Sequence, residues 1–172
     1  YAHVPWSTPT LPWVTVAFHG PAFSETEKES ASLDILLDLT FGPTSDLYKQ
    51  LVVDEQIVDE LFPHAAGSAD PSLAMVAARV KEPAHAIRVR DAILKAFAAT
   101  RSSLVQAKRL EYAKSNARYA LLRTLDNTEA IASHLARFVR YRRSFDTLNN
   151  LYRQYDALAP VDLQAVARRY FR

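Results

Sequence analysis

Apolar and polar positions in this chain follow two different periods, and the change from one to the other divides it in two. From Leu11 to Phe18 the residues alternate and are rich in β-formers, with Trp13 in the middle and Pro9 and Pro12 opposing any helix. This predicts a strand, ended by His19-Gly20-Pro21. Ser24-Glu25-Thr26-Glu27 has the spacing of a capping box, in which the serine hydroxyl and the glutamate carboxylate each take up an orphan N–H at a helix start. A helix is expected from there to about Thr40, with Leu33, Leu36, Leu37 and Thr40 forming one apolar stripe and Phe41-Gly42-Pro43 stopping it. A short helix should begin near Ser45, bury Leu47 and Leu51, and fade around Asp54. Ile57–His64 and Leu73–Val80 then read as paired strands across a turn-rich stretch, with Leu73, Met75 and Ala77 on one face.

Pro83 opens a helix to about Thr100 in which Ile87, Leu94 and Phe97 are expected to share a face, with βαβ-like packing. After Arg101 the pattern becomes almost wholly helical. Ser103 and Gln106 spell another capping box before a run to Leu125, buried through Leu110, Ala117, Leu121 and Thr124. Asp126-Asn127-Thr128 interrupts it. Ile131, Leu135 and Phe138 carry the next helix toward Arg143, Leu148–Leu158 forms another, and Pro160–Phe171 the last. The expected fold class is α+β: a mostly antiparallel sheet packed against helices, with a helical second half.

At 172 residues the chain suits a single domain, so residues 1–172 are read as one unit. No window approaches the ~18 apolar residues that a membrane span needs, and Tyr1–Pro12 has no signal-peptide pattern. With no cysteine, disulfides, thiolate catalysis and cysteine-ligated zinc are excluded. The net charge of +2 conceals an asymmetry. Through Asp70 there are eleven acidic residues against Lys28 and Lys49, a balance of −9; the remainder holds 8 acidic and 19 basic residues, a balance of +11. Such halves either present a phosphate-binding surface or neutralise one another in the fold, and the second reading is preferred because no nucleic-acid-reading motif accompanies the charge. The stretch Arg137, Arg140, Arg142, Arg143 is read likewise, with Phe138 buried and the arginines snorkelling or paired; a nucleic-acid-binding domain is kept as a competing function.

The histidines His3, His19, His64, His85 and His134 are too dispersed for either arrangement that puts two imidazoles on one helical face to chelate zinc. There is no G-x-S-x-G elbow, and three glycines leave no material for a phosphate-cradling loop. Asp54-Glu55 and Asp59-Glu60 are adjacent pairs whose side chains should point apart and be solvated. The chain is therefore expected to supply no catalytic, cofactor-binding or metal-binding residue of its own.

Three segments, in this order and spacing, resemble the insulinase/pitrilysin family of zinc metallopeptidases: Phe18-His19-Gly20-Pro21-Ala22; Gly42-Pro43-Thr44-Ser45-Asp46-Leu47-Tyr48-Lys49-Gln50-Leu51-Val52; and Leu158–Phe171. The resemblance implies an α+β roll that forms half of a closing chamber and belongs to a non-catalytic domain, with zinc held in a neighbouring homologous domain. It also implies that some such domains hold the substrate with an arginine and a tyrosine seven residues apart; the matching positions here are Val52 and Asp59. The expected partners are peptide or partly unfolded protein and the homologous catalytic domain or subunit, with no nucleic acid. The alternative within the family is a scaffold subunit without proteolytic role. A periplasmic setting is implied, with the cytoplasm open. The family's domain ends in a further strand, so the chain is expected to be a piece of a longer one and to leave a sheet edge uncovered beside Tyr170 and Phe171.

Overall fold

A computed structural model describes residues 7, 8, 10–65, 67–124 and 127–172, except the side chains of Thr124, His134, Arg137, Arg140, Tyr141 and Arg142. The elements run β1 (Trp13–His19), α1 (Lys28–Phe41), α2 (Asp46–Tyr48) continuing as a π-helical turn (Lys49–Asp54), β2 (Val58–Ala65), β3 (Leu73–Val80), a 3₁₀ turn (Pro83–His85), α3 (Ala86–Ser102), α4 (Ala107–Thr124), α5 (Thr128–Arg142), α6 (Asp146–Asp156) and α7 (Pro160–Tyr170). The fold is α+β, as the periods predict. The expectations that rest on His3, Pro9, Leu125 and Asp126 fall outside the described residues, as do the side chains of Thr124, His134, Arg137, Arg140 and Arg142.

The sheet has the order β1-β3-β2 and is antiparallel throughout. The expected βαβ-like packing is therefore not found, because α3 leads into further helices and not into a parallel strand. Strand alternation turns Val14, Val16 and Phe18 of β1, Ala74, Val76, Ala78 and Val80 of β3, and Val58 and Leu61 of β2 toward the helices. Helices α1 and α3 lie on this face, and α7 packs on both. Leu73, Met75 and Ala77 do share a face, but it is the other one.

Helix α1 buries more than the single stripe its pattern predicts. Ala31, Ser32, Leu33, Ile35, Leu36, Leu37 and Phe41 are all buried, because α4, α6 and α7 cover the side turned away from the sheet. Only Asp34 and Asp38, one turn apart, face outward in its centre. Its start also differs from the expected capping box. Ser24 Oγ accepts the Glu27 N–H at 2.9 Å, but the return contact comes from Ser30, whose hydroxyl accepts the Ser24 N–H at 3.2 Å, so the helix begins at Lys28. At its end a Cβ on Gly42 would lie 2.5 Å from the Asp38 carbonyl oxygen, which is backbone and cannot yield, so this turn requires glycine. Ser45 caps α2 by accepting the Tyr48 N–H at 3.1 Å.

In α3 the buried stripe is Val89, Ile93 and Phe97, one helical turn apart, while Ile87 (65% exposed) and Leu94 (41%) face out. The expected Ile87/Leu94/Phe97 face thus fails: Phe97 is drawn to α7 and β1 together with Ile93. Its ring is the hub of an aromatic cluster, with centroids 4.6 Å from Phe41, 4.6 Å from Phe171 and 4.9 Å from Phe18. Ser103 is the C-cap of α3 and not a partner in a capping box; the first turn of α4 closes on the Gln106 carbonyl. The C-terminus of α6 is held by two lysines: Lys114 Nζ donates to the Asp156 carbonyl at 3.1 Å and Lys28 Nζ to the Ala157 carbonyl at 2.7 Å, the cation placement that a helix dipole favours.

The two charge halves meet. Arg79 binds Asp59 and Glu60, Arg88 binds Glu55, Arg109 binds Asp46, and Arg169 binds Glu29. Most of these groups are partly solvated, so the pairs act on docking register more than on stability. Arg143 is exposed and adopts φ 52°, ψ 33° as the left-handed C-cap of α5.

Thr147 is fully buried at the start of α6 and its hydroxyl has no hydrogen-bond partner. Thr147→Val keeps the shape and removes the stranded polar atom. We expect it to stabilise the fold by about 1 kcal/mol, read as a rise in urea midpoint at constant slope. An unchanged or lower midpoint would mean the hydroxyl is satisfied in solution.

Candidate functional site

One face of the sheet is covered by helices; the other is open among the described residues. The strand registers order the open face into rows. Trp13 lies opposite Arg79 and then Glu60, Thr15 opposite Ala77 and then Phe62, Ala17 opposite Met75 and then His64, and His19 opposite Leu73. Large side chains stand exposed on it: Trp13 is 49% exposed, Phe62 42% and Leu73 47%, while Ala77 in the middle strand is buried. A sheet face of this kind, partly apolar and without a covering helix among the described residues, is suited to an extended polypeptide.

One end of this face is built as a network. A bulge between Val58 and Glu60 breaks the register of β2. It lets two carboxylates that are adjacent in sequence converge on one guanidinium, where a regular strand would send them to opposite faces. Arg79 Nε donates to both Asp59 oxygens at 3.0 Å, its Nη2 donates to Asp59 Oδ2 at 2.8 Å, and Nη2 lies 2.7 Å from Glu60 Oε1. The Arg79 hydrogen bond holds the Asp59 carboxyl below the ordinary carboxylate range, against a smaller desolvation effect, with the charges of Arg79 and Lys81 adding to it. The guanidinium also lies 5.8 Å from the Trp13 ring centroid, and Trp13 meets Phe62 edge to face at 6.1 Å. Asp59 and Glu60 thus do not point apart but share one partner at the surface, and Glu55 is likewise engaged, by Arg88 at 2.6 Å and Gln50 Nε2 at 2.8 Å.

The structure places Val52, half-buried, in the π-helical turn and Asp59 at the start of β2. The latter is bound to Arg79 from the neighbouring strand. His19 is on β1 and His64 on β2, separated by β3 and hence by about 10 Å of sheet. His85 lies in the 3₁₀ turn. Among the described residues no three or more His, Cys, Asp or Glu gather as a metal could require, so these residues do not fit a zinc ion. No described helix is long and apolar enough to cross a membrane. The residues that sequence reasoning missed are Trp13, Phe62 and Arg79. Their alternation was readable, but nothing in the pattern told which face the helices would cover.

Solved structures share this fold. A protease from Helicobacter pylori superposes with TM-score 0.81 at 23% identity over 93% of this chain and 38% of its own. The inactive peptidase domain of a proposed zinc protease from Bordetella parapertussis matches with TM-score 0.79 at 18% identity, covering 96% and 89% of the two chains. A chain of complex III2 from Candida albicans matches with TM-score 0.73 at 17% identity over 92% and 39%. The chain thus spans 38% of the Helicobacter protein's length. No curated protein matches it significantly. The model of the peptidase M16 inactive domain matches residues 6–117, from before β1 through the middle of α4, and with more than half of its length so matched the chain belongs to the M16 inactive-domain family.

Proposed function

We propose that this chain is the zinc-free wall of a metallopeptidase chamber. It binds an extended or partly unfolded peptide against the open face of its sheet, while a homologous zinc domain, in the same chain or in a partner, cleaves it by metal-activated water. The observation that carries this reading is the uncovered sheet face on which Trp13 and Phe62 stand exposed and in contact. Family membership supports it, and so does the lack of a gathered ligand set among the described residues. The role of the wall is ground-state binding, so its loss should raise KM and leave kcat largely intact.

The isolated chain should retain no stoichiometric zinc after dialysis and should not hydrolyse fluorogenic peptides. In the assembled peptidase, Trp13→Ala combined with Phe62→Ala should raise KM about ten-fold, as expected for the loss of two partly exposed aromatic contacts of roughly 0.5–1.5 kcal/mol each. One tightly held zinc per chain, or a KM indifferent to both rings, would sink the proposal.

A scaffold without proteolytic role is the second reading, favoured by the fold shared with the chain of complex III2. It predicts that peptide does not compete with the partner for any surface of this chain. The effect of the ring variants on KM separates the two.

A further inference from the structure

A wall that only encloses peptide needs exposed apolar surface, but this one also fixes the attitude of a particular ring. Trp13 stands on an edge strand, half exposed. An indole so placed would ordinarily sample several rotamers, and ordering it on binding would oppose affinity. Here its neighbours are themselves immobilised. The Arg79 guanidinium is gripped along one side by Asp59 through Nε and Nη2 and touched by Glu60 at Nη2, so its plane has little freedom 5.8 Å from the indole. Phe62 meets the indole edge to face at 6.1 Å. Asp59 and Glu60 are both paired with Arg79, so the ring itself offers a visiting side chain an apolar contact.

We propose that Asp59, acting through Arg79, is a positioning residue that holds the Trp13 indole on the open sheet face as the contact for a large apolar or aromatic side chain of the bound peptide. This rests on the chamber-wall reading above. A carboxylate is needed at position 59 because only it accepts two parallel N–H bonds from the fork, and arginine is needed at 79 because lysine has neither the fork nor a planar face. The bulge at Val58/Glu60 is the backbone device that brings the carboxylate to the guanidinium.

The test uses the chain with Trp6→Phe, which leaves Trp13 as the only indole of the two in the sequence. Near-ultraviolet circular dichroism and acrylamide quenching report the ring. Binding of a labelled extended peptide with a central phenylalanine, compared with the same peptide carrying alanine there, reports the contact. Asp59→Asn and Arg79→Met should both diminish the Trp13 dichroism, increase quenching, and cut the preference for the phenylalanine peptide roughly two- to five-fold, the factor a cation–π contact supplies. Far-ultraviolet dichroism should stay unchanged. Glu60→Gln, which leaves the Asp59 fork in place, should do none of this. Should Arg79→Met fail to fold, Arg79→Lys keeps the charge without the fork and should give the same loss. A Trp13 signal that Asp59→Asn and the Arg79 variant leave untouched overturns the positioning role while the chamber-wall reading stands. Peptide binding that Trp13→Ala does not weaken overturns both.

Discussion

Phe97→Ala is expected to cost the domain about 3–5 kcal/mol, the largest effect of any single substitution considered for this chain. The ring is 2% exposed and joins four elements: Phe18 of β1, Phe41 at the end of α1, and Phe171 following α7 all meet it on α3, with centroids within 5 Å. Truncation loses the transfer free energy of the ring, three aromatic contacts, and the packing of a space that no single neighbour can fill, because each is held by a different element. Urea titration should show the loss as a fall in midpoint at constant slope, and calorimetry as a fall in Tm of roughly 6–20 °C. Leu94→Ala, on the same helix but facing out, is the control and should cost under about 1 kcal/mol. A Phe97→Ala loss no greater than the control's would show that the cluster does not join the sheet to α7.

Asp162→Ala should come next, at about 2 kcal/mol, and its effect should depend on pH. Asp162 Oδ2 accepts the Ala159 N–H at 2.9 Å at the start of α7 and lies 2.9 Å from Lys28 Nζ, which also donates to the Ala157 carbonyl behind α6. One carboxylate thus caps α7 and orients the lysine that caps α6. Lys28 and Asp162 are partly solvated, which keeps the figure well below that of a buried pair. Burial pushes the Asp162 carboxyl up, but the Lys28 hydrogen bond, the Ala159 N–H and the charges of Lys28 and Lys114 outweigh it, and the group ends below its ordinary range. A folded-state pKa below the unfolded one means that the unfolded chain binds the proton more readily. The contribution is therefore complete above the ordinary carboxylate range and is lost as pH falls through the lowered folded value. Denaturation of the parent and variant chains should differ by a constant amount between about pH 6 and 8 and converge in acid. A gap that persists unchanged into strong acid would assign the loss to packing.

Much of the fold was legible because two periods of apolar residues are hard to misread. The strand at Leu73–Val80 is legible to the residue, and the α+β class, the order of elements and the start of α2 near Ser45 all follow from local chemistry. What escaped depends on contacts between distant segments. Ile87 and Leu94 are apolar and correctly spaced for a helix, yet face outward, since the direction of burial in α3 is set by α7 and β1, whose positions no local pattern encodes. The second buried side of α1 is hidden in the same way, because a helix between two layers shows little periodicity. The convergence of Asp59 and Glu60 on Arg79 was missed for a sharper reason. Alternation assumes a regular strand, and one extra residue in β2 turns a pair that should diverge into a clamp. The sequence pattern speaks to catalytic machinery and not to binding surface; the exposed rings can be recognised only where the helices have claimed the opposite face.

The two borders of the sheet are not alike, and the difference bears on how the isolated chain behaves in concentrated solution. Strand β2 carries Pro63, a bulge and an acidic pair, each of which discourages a foreign strand from joining it. Strand β1 carries none of these. The bonds from Val80 N–H to the Pro12 carbonyl and from Gly20 N–H to the Ser72 carbonyl bracket its pairing with β3, so the main-chain groups of Trp13, Thr15, Ala17 and His19 point to its outer side. The sequence WVTVAFH contains no acid, lysine, arginine or proline and is rich in residues that favour stacked strands. It is therefore the border along which two copies can pair, β1 against β1, and because β2 discourages a further strand such pairing closes at a dimer.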